Sequence, residues 1–265
     1  MKLKISVLIE NTTALPHIVA EHGLSLLIET QGRRILFDTG ASGAFADNAA
    51  RMGVDLGSVD ACVISHGHYD HGGGLPRFLQ HNQQAAVWVS RHAFEPHFNA
   101  NGKDIGLPPV LAEHAQICML REDAAEFAPG ITLHSARCMP TIHPVAGAGM
   151  ATMINGVREE DDFRHEQYLL VEEAGRRILF SGCSHRGVLN IAAYFRPDIL
   201  IGGFHYMKCT AQKDTLFLER AAQSLLRMGA VYYTGHCTGE YAYTTMKPLL
   251  GEQLHCFAGG DVLQV

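Results

Sequence analysis

The stretch Ala61-Cys62-Val63-Ile64-Ser65-His66-Gly67-His68-Tyr69-Asp70-His71-Gly72-Gly73 decides how this chain is read. Its first four residues are an apolar run of the kind that forms a short buried strand. Immediately after it, four side chains able to bind a metal fall within six positions. His66 and His68 are two apart, so an extended backbone aims both rings to one side. Asp70 and His71 follow as the chain turns into glycines. Three imidazoles and a carboxylate delivered by one strand end suit a borderline metal such as zinc, or a pair of ions. A histidine-rich surface loop would need neither the strand before it nor the glycines after it.

Outward from this stretch the chain repeats itself. The segment from Leu26 to Phe37 recurs from Leu169 to Phe180, and Gly-Arg-Arg-Ile-Leu-Phe is identical in both copies. Each copy reads as strand, tight glycine turn, strand, which is a β-hairpin. His22 and His165 fall at equivalent places before the two copies. A looser echo sets Val63–Tyr69 beside Leu200–Tyr206, and in that alignment His205 matches His68. Two halves of one plan suggest a pseudo-two-fold arrangement, with halves at about 1–93 and 163–265. If the halves pack sheet on sheet, their histidine-bearing strand ends meet along one edge. Further strands are expected near 86–89, 132–136, 199–202 and 231–233. Helices are expected near 43–52, 188–194, 215–228 and 241–249, with Leu216, Leu218, Ala221, Ala222, Leu225 and Leu226 on one apolar face. Residues 94–162, with a Gly/Met-rich run from Val145 to Met153, read as an insert of strands and loops that covers the site.

Several segments carry a family resemblance. The His66-x-His68-x-Asp70-His71 pattern and the strand Arg34-Ile35-Leu36-Phe37 ending in Asp38-Thr39-Gly40 resemble motifs of the metallo-β-lactamase superfamily. Glu10-Asn11-Thr12-Thr13, Glu21-His22-Gly23-Leu24-Ser25, Ser181-Gly182-Cys183-Ser184-His185, Gly202-Gly203-Phe204-His205 and Gly235-His236-Cys237-Thr238-Gly239 look like one branch of it. That branch takes its name from a dihydropterin-ribofuranosylaminobenzene phosphate synthase of methanopterin biosynthesis. The resemblance runs over nearly the whole chain and implies an α/β fold, a four-layer αββα sandwich, over 1–265 as a single domain.

The resemblance also implies a ligand set of His66, His68, Asp70, His71, His185 and His236, holding two zinc ions, with iron or manganese as alternatives. In most of the superfamily the strand equivalent to Ile178-Leu179-Phe180 ends in Gly-Asp, and that aspartate bridges two metals. Here Cys183 follows Gly182. Cys183 is either a thiolate ligand, since a metal deprotonates a nearby thiol, or a small buried residue, the commoner fate of a cysteine. The superfamily's third-motif histidine has no clear counterpart; His134, His143 and His165 are candidates in undiagnostic settings, and His185 is the residue expected in that role. Asp70 is expected to bind a metal and orient the nucleophile. His205 or Tyr206 is expected to serve the leaving group. Asp38, Glu10 and Asn11 end strands and are expected to orient ligands. His22 borders the pocket, and His17, His92 and His97 carry weaker signals.

Composition narrows the function. The chain has 265 residues, a formal charge of −6 and 47% hydrophobic residues. No block of Lys and Arg marks a nucleic-acid surface, and no apolar run is long enough for a membrane span. Seven cysteines without regular spacing and without an export signal read as reduced thiols of a cytoplasmic protein. The partner is a small-molecule substrate; the sequence leaves the oligomeric state open. The expected activity is hydrolysis of an ester, lactone or phosphoester by a metal-activated hydroxide. Alternatives are a transferase that displaces a diphosphate with an aryl amine, iron-based oxygen chemistry, and a non-catalytic sensor that uses its metal to hold an anion. Superfamily members with iron chemistry usually carry a flavin domain, for which this chain leaves no room.

Overall fold

The structure, a computed structural model, describes residues 3–145 and 149–265. Part of the Gly/Met-rich run, residues 146–148, lies outside the described residues. In chain order the elements are β1 (Lys4–Ile9), β2 (Ser25–Thr30), β3 (Arg33–Phe37), α1 (Ala44–Arg51), β4 (Ala61–Val63), α2 (Tyr69–Gly72), α3 (Leu75–His81), β5 (Ala86–Ser90), β6 (His97–Phe98), β7 (Ile117–Leu120), β8 (Ala124–Ala128) and β9 (Ile131–Ser135). They continue with β10 (Ala151–Ile154), β11 (Val157–Glu160), β12 (Gln167–Glu173), β13 (Arg176–Phe180), α4 (Val188–Phe195), β14 (Ile199–Ile201), α5 (Thr215–Met228), β15 (Val231–Thr234), α6 (Glu240–Leu250), β16 (Leu254–Cys256) and β17 (Val262–Gln264).

Two seven-stranded sheets dominate. One runs β17-β1-β2-β3-β4-β5-β7 and the other β8-β9-β12-β13-β14-β15-β16. Read in these directions the two orders match strand for strand. The β2–β3 hairpin and the β12–β13 hairpin have the same register, ending at Thr30 opposite Arg33 and Glu173 opposite Arg176. Each closes through two residues of positive φ, Gln31-Gly32 and Ala174-Gly175, the backbone that a two-residue type I′ turn demands and that glycine supplies at its second position. In each half the next strand runs parallel to the hairpin, β4 to β3 and β14 to β13. The entry to that strand is fixed alike: Asp60 Oδ2 accepts the Arg34 N–H at 2.7 Å, and Asp198 Oδ2 accepts the Arg177 N–H at 2.7 Å.

The register corrects one detail of the looser echo. Phe37 pairs with Val63 and Phe180 with Ile201, so Val63 corresponds to Ile201 rather than to Leu200. His68 therefore corresponds to Tyr206, and His205 to Gly67. Apolar alternation cannot resolve a one-residue offset in strands that are buried on both faces, because every position is apolar.

That double burial explains the layers. Leu26, Ile28, Ile35, Phe37, Leu169, Val171, Ile178 and Phe180 point between the sheets. Their neighbours Leu27 and Leu36 face α1 and α3, and Leu170 and Leu179 face α4, α5 and α6. The result is helix, sheet, sheet, helix. Phe37 and Phe180, equivalent in the repeat, meet with ring centroids 5.9 Å apart; burying each contributes about 1.5–3 kcal/mol. Residues 94–162 do two things. They form a small sheet, β11-β10-β6, near the metal-binding stretch, and they send β7 to one large sheet and β8–β9 to the other. No helix among the described residues is long and apolar enough to cross a membrane.

Candidate metal centre

The loop after β4 is held by the chain around it. Ile64 N–H donates to Trp88 O at 2.9 Å, and Gln167 N–H donates to Ser65 O at 2.8 Å, tying the loop to both sheets. Asp38, at the end of β3 with φ 61°, is fully buried. Its Oδ1 accepts the Ser65 N–H at 2.7 Å, and its Oδ2 accepts from Ser65 Oγ at 2.7 Å and from His71 Nδ1 at 2.6 Å. Ser65 Oγ has spent its proton on Asp38, so at 2.9 Å from His66 Nδ1 it accepts that N–H. One carboxylate thus sets the tautomers of two histidines and leaves both Nε2 atoms free, an arrangement typical of metal-bound imidazole.

His236 is prepared from the other end of the chain. It sits at φ 48° after β15. Glu10 Oε1 accepts its backbone N–H at 2.5 Å, and Asn11 Oδ1 lies 2.8 Å from its Nδ1. His185 follows β13, where Glu166 Oε1 accepts its N–H at 2.6 Å; Glu166 Oε2 also accepts the Tyr168 hydroxyl at 2.7 Å.

Two sets of donors result. His66 Nε2 and His185 Nε2 are 3.3 Å apart, and His68 completes a buried triad that could hold an ion. His71 Nε2 and His236 Nε2 are 3.1 Å apart, with Asp70 Oδ2 3.7 Å and 3.4 Å from them. A tetrahedral ion with bonds of about 2.0–2.1 Å to nitrogen sets its donors roughly 3.3–3.4 Å apart, so the spacing fits. With each Nδ1 engaged, His71 Nε2 and His236 Nε2 would face each other as lone pairs unless a proton or a cation lies between them. Cys183 joins the two sets: it is 3% exposed, and its Sγ is 3.2 Å from His71 Nε2 and grouped with both His66 and His236. Cys237 lies beside it, its Sγ donating to Cys183 O at 3.5 Å.

The same cavity, about 210 Å³, is lined by His22, His68, Tyr69, Asp70, Cys183, His185, His205, Lys208 and His236, with Asn99, Ile105 and Met150 from the covering insert. His22 is half exposed, its Nε2 3.4 Å from Asp70 Oδ2. His205, held at φ 57°, stacks at a tilt on His185 with centroids 4.2 Å apart. Tyr206 is 6% exposed and packs instead in the core under α5. Burial pushes its hydroxyl well above the usual phenol range, which makes it a poor proton donor.

Of the residues marked in the sequence, the structure brings His22, His68, Asp70, Cys183, His185, His205 and His236 to one cavity, with His66 and His71 packed against them and Glu10, Asn11 and Asp38 hydrogen-bonded behind His236 and His71. Sequence reading missed Ser65 and Glu166 as supports, Lys208 at the cavity wall, and Asp161, which with His97 and His165 forms a buried group that backs His68. Of that group His97 carried a weak signal, and His165 its equivalence to His22 and its candidacy for the third-motif histidine. His134 lies on β9, and His143 lines a side pocket next to His185.

Burial opposes charge on His71, but the carboxylates of Asp38 and Asp70 outweigh it and raise its pKa to about 9. Burial raises the Asp70 carboxyl, yet His71 and His236 more than offset it and hold the group ionised well below the usual range. His205 is lowered to about 4, by burial first and Lys208 second. It is neutral at neutral pH, so it can accept a proton or offer an N–H but holds no stored acid proton. One prediction follows from His71. In metal-free protein it keeps its proton up to about pH 9, and an ion must displace that proton. Apparent Zn²⁺ affinity should rise about tenfold per pH unit below about 9 and level off above it. Chelator competition at several pH values measures this; a flat profile from about pH 7 to 9 would remove His71 from the ligand set.

The comparisons with known proteins agree with this geometry. Residues 19–144 match the family description of the metallo-beta-lactamase superfamily. An uncharacterized protein of Methanocaldococcus jannaschii is 27% identical over 266 residues, 97% of each chain. The 7,8-dihydropterin-6-methyl-4-(beta-D-ribofuranosyl)-aminobenzene-5'-phosphate synthase of the same organism is 28% identical over 272 residues, 92% of this chain and 90% of that one. The crystal structure of a metal-dependent hydrolase of the beta-lactamase superfamily superposes with a TM-score of 0.84 at 28% identity, covering 99% of both chains. With its paired sheets, its matched hairpins and the His66–His71 stretch between them, the chain has the metallo-β-lactamase fold, and its residues 19–144 are those that match that superfamily.

Proposed function

We propose that this protein is a metal-dependent hydrolase of a small-molecule ester, lactone or phosphoester. The observation that supports it is the pair of donor sets, His66/His68/His185 and Asp70/His71/His236, beside one cavity that His68, Asp70, His185 and His236 line together with a neutral histidine, His205, and a cation, Lys208. The mixed nitrogen, oxygen and sulfur donors would suit zinc, with iron or manganese as alternatives, and Cys183 would add a thiolate beside His66, His71 and His236. What two such ions supply when bound is Lewis acidity toward a substrate oxygen and an acidified water at neutral pH. The protein's own share is positioning. Asp70, ionised and next to His236, orients the nucleophile; His205 takes up or offers a proton at the leaving group; Lys208 pairs with an anionic part of the substrate. At about 210 Å³ the cavity falls short of the roughly 300–1,000 Å³ usual for drug-sized ligands. It therefore takes the reacting portion of a substrate whose remainder lies toward the insert.

A second reading, transfer of a group from a diphosphate to an aryl amine, draws on the synthase that is 28% identical over nine-tenths of both chains. One screen separates them. Metal-loaded protein is offered lactones, phosphodiesters and pterin diphosphates, with and without an aryl amine. Turnover without the amine supports hydrolysis. Pyrophosphate release that requires the amine overturns it in favour of transfer.

A further inference from the structure

Behind His68, on the side away from the cavity, three more titratable residues are packed without solvent. His97 lies on β6, and Asp161 and His165 lie on the turn leading into β12. They are 0%, 5% and 0% exposed. His97 Nδ1 is 3.0 Å from Asp161 Oδ2 and His165 Nε2 is 3.4 Å from the same oxygen, while Asp161 Oδ1 accepts the Phe163 N–H at 2.8 Å. The His97 and His165 rings are 3.9 Å apart, and the His68 ring is 5.0 Å from His165. His68 Nε2 is buried without a hydrogen-bond partner, and His165 Nε2 has the ion-pair contact with Asp161 alone.

Four donors within 4.8 Å of one another could hold an ion. One hydrogen bond argues against that use. The Gly67 N–H donates to His165 Nδ1 at 2.9 Å. A neutral imidazole that accepts at Nδ1 carries its proton on Nε2, and a protonated nitrogen cannot ligate a metal. His165 Nε2–H therefore points its proton toward Asp161. Gly67 is the residue between His66 and His68, and it has no room to shift the other way: a Cβ there would lie 2.3 Å from Ala93 O.

We infer that His165 and Asp161 are positioning residues for the metal centre: His165 holds the backbone between His66 and His68, and Asp161 holds His165 in the tautomer that can do so. Asp161 also brings a carboxylate oxygen within 4.8 Å of a His68 ring nitrogen, and a carboxylate is the partner that a metal-bound imidazole ordinarily uses to fix its ring. Through His97 the arrangement extends to β6, so the small covering sheet and the metal loop are ordered together. The inference rests on the metal-centre reading above and adds residues to which that reading gives no part.

Co²⁺ is the probe, because its visible absorption reports coordination geometry and its transfer to a chelator reports affinity. His165→Ala should weaken one of two bound ions about 10–100-fold, the usual effect of losing an outer partner, and change its absorption. His165→Asn, whose Oδ1 replaces Nδ1 as the acceptor for Gly67, should recover most of both. Asp161→Asn, the arm to rely on if His165→Ala does not fold, should lose about tenfold. Wild-type affinity and spectrum in His165→Ala or in Asp161→Asn would overturn the inference, even if the melting temperature fell. So would a His165→Asn no better than His165→Ala. A third Co²⁺, present in wild type and lost in His97→Ala, would replace it with a closed metal site. Wild-type protein that takes up no Co²⁺ would sink the metal-centre reading itself, an outcome distinct from all of these.

Discussion

His71→Asn is expected to fold, keep its contact with Asp38, and lose both metal and activity. The asparagine Nδ2–H can stand where the His71 Nδ1–H donates to Asp38 Oδ2 at 2.6 Å, but nothing replaces the Nε2 that faces His236 at 3.1 Å. Affinity for one ion should fall by more than about 100-fold, beyond the 10–100-fold typical of an outer partner. His71→Ala adds a second cost. It leaves the Asp38 carboxylate buried without its partner, with both residues fully enclosed, and breaking a buried pair costs about 3–5 kcal/mol. His68→Ala, which lacks that pairing, should lose metal with a smaller loss of stability. Metal content by mass spectrometry, alongside thermal melts, separates these effects. Full metal retention in both His71→Asn and His68→Ala would refute the ligand set.

The second large effect is expected at His205. Its ring lines the cavity beside His185 and takes no place in either donor set. His205→Ala should therefore keep most of the bound metal and lose about 10²–10⁴-fold in kcat, the usual range for a positioned acid or base. Since its pKa is lowered to about 4, wild-type activity that depends on neutral His205 should persist down to about pH 5 and fall below it. Metal loss in His205→Ala that parallels the activity loss would make it a ligand instead. Unchanged kcat would remove it from the chemistry.

The His66–His71 spacing fixes four donors on one strand end because local geometry alone sets where neighbouring residues project. The hairpin repeat was equally legible: Gly32 and Gly175 allow the same turn, and identical strands around it pair in the same register. Hence the two-sheet layout and the local half of the metal site could be read without coordinates. His236 and His185 were identified by family resemblance more than by physics, since nothing local says that a histidine after β15 will face one after β4.

What only the tertiary structure decided is the support. Asp38 reaches Ser65 and His71 across parallel strands, Glu10 reaches His236 across 226 positions of chain, and Glu166 caps the turn that presents His185. The one-residue offset that sets His205 opposite Gly67 is fixed by strand pairing, which apolar runs do not encode. Asp161 gave no motif, and nothing in the sequence pointed His165 to the role it takes, because a hydrogen bond to Gly67 across 98 positions asks only for an acceptor in the right place. Sequence determined which residues could bind a metal and the scaffold that carries them. The fold decided which nitrogen each histidine presents, because tautomers are set by partners that meet only when the two halves close.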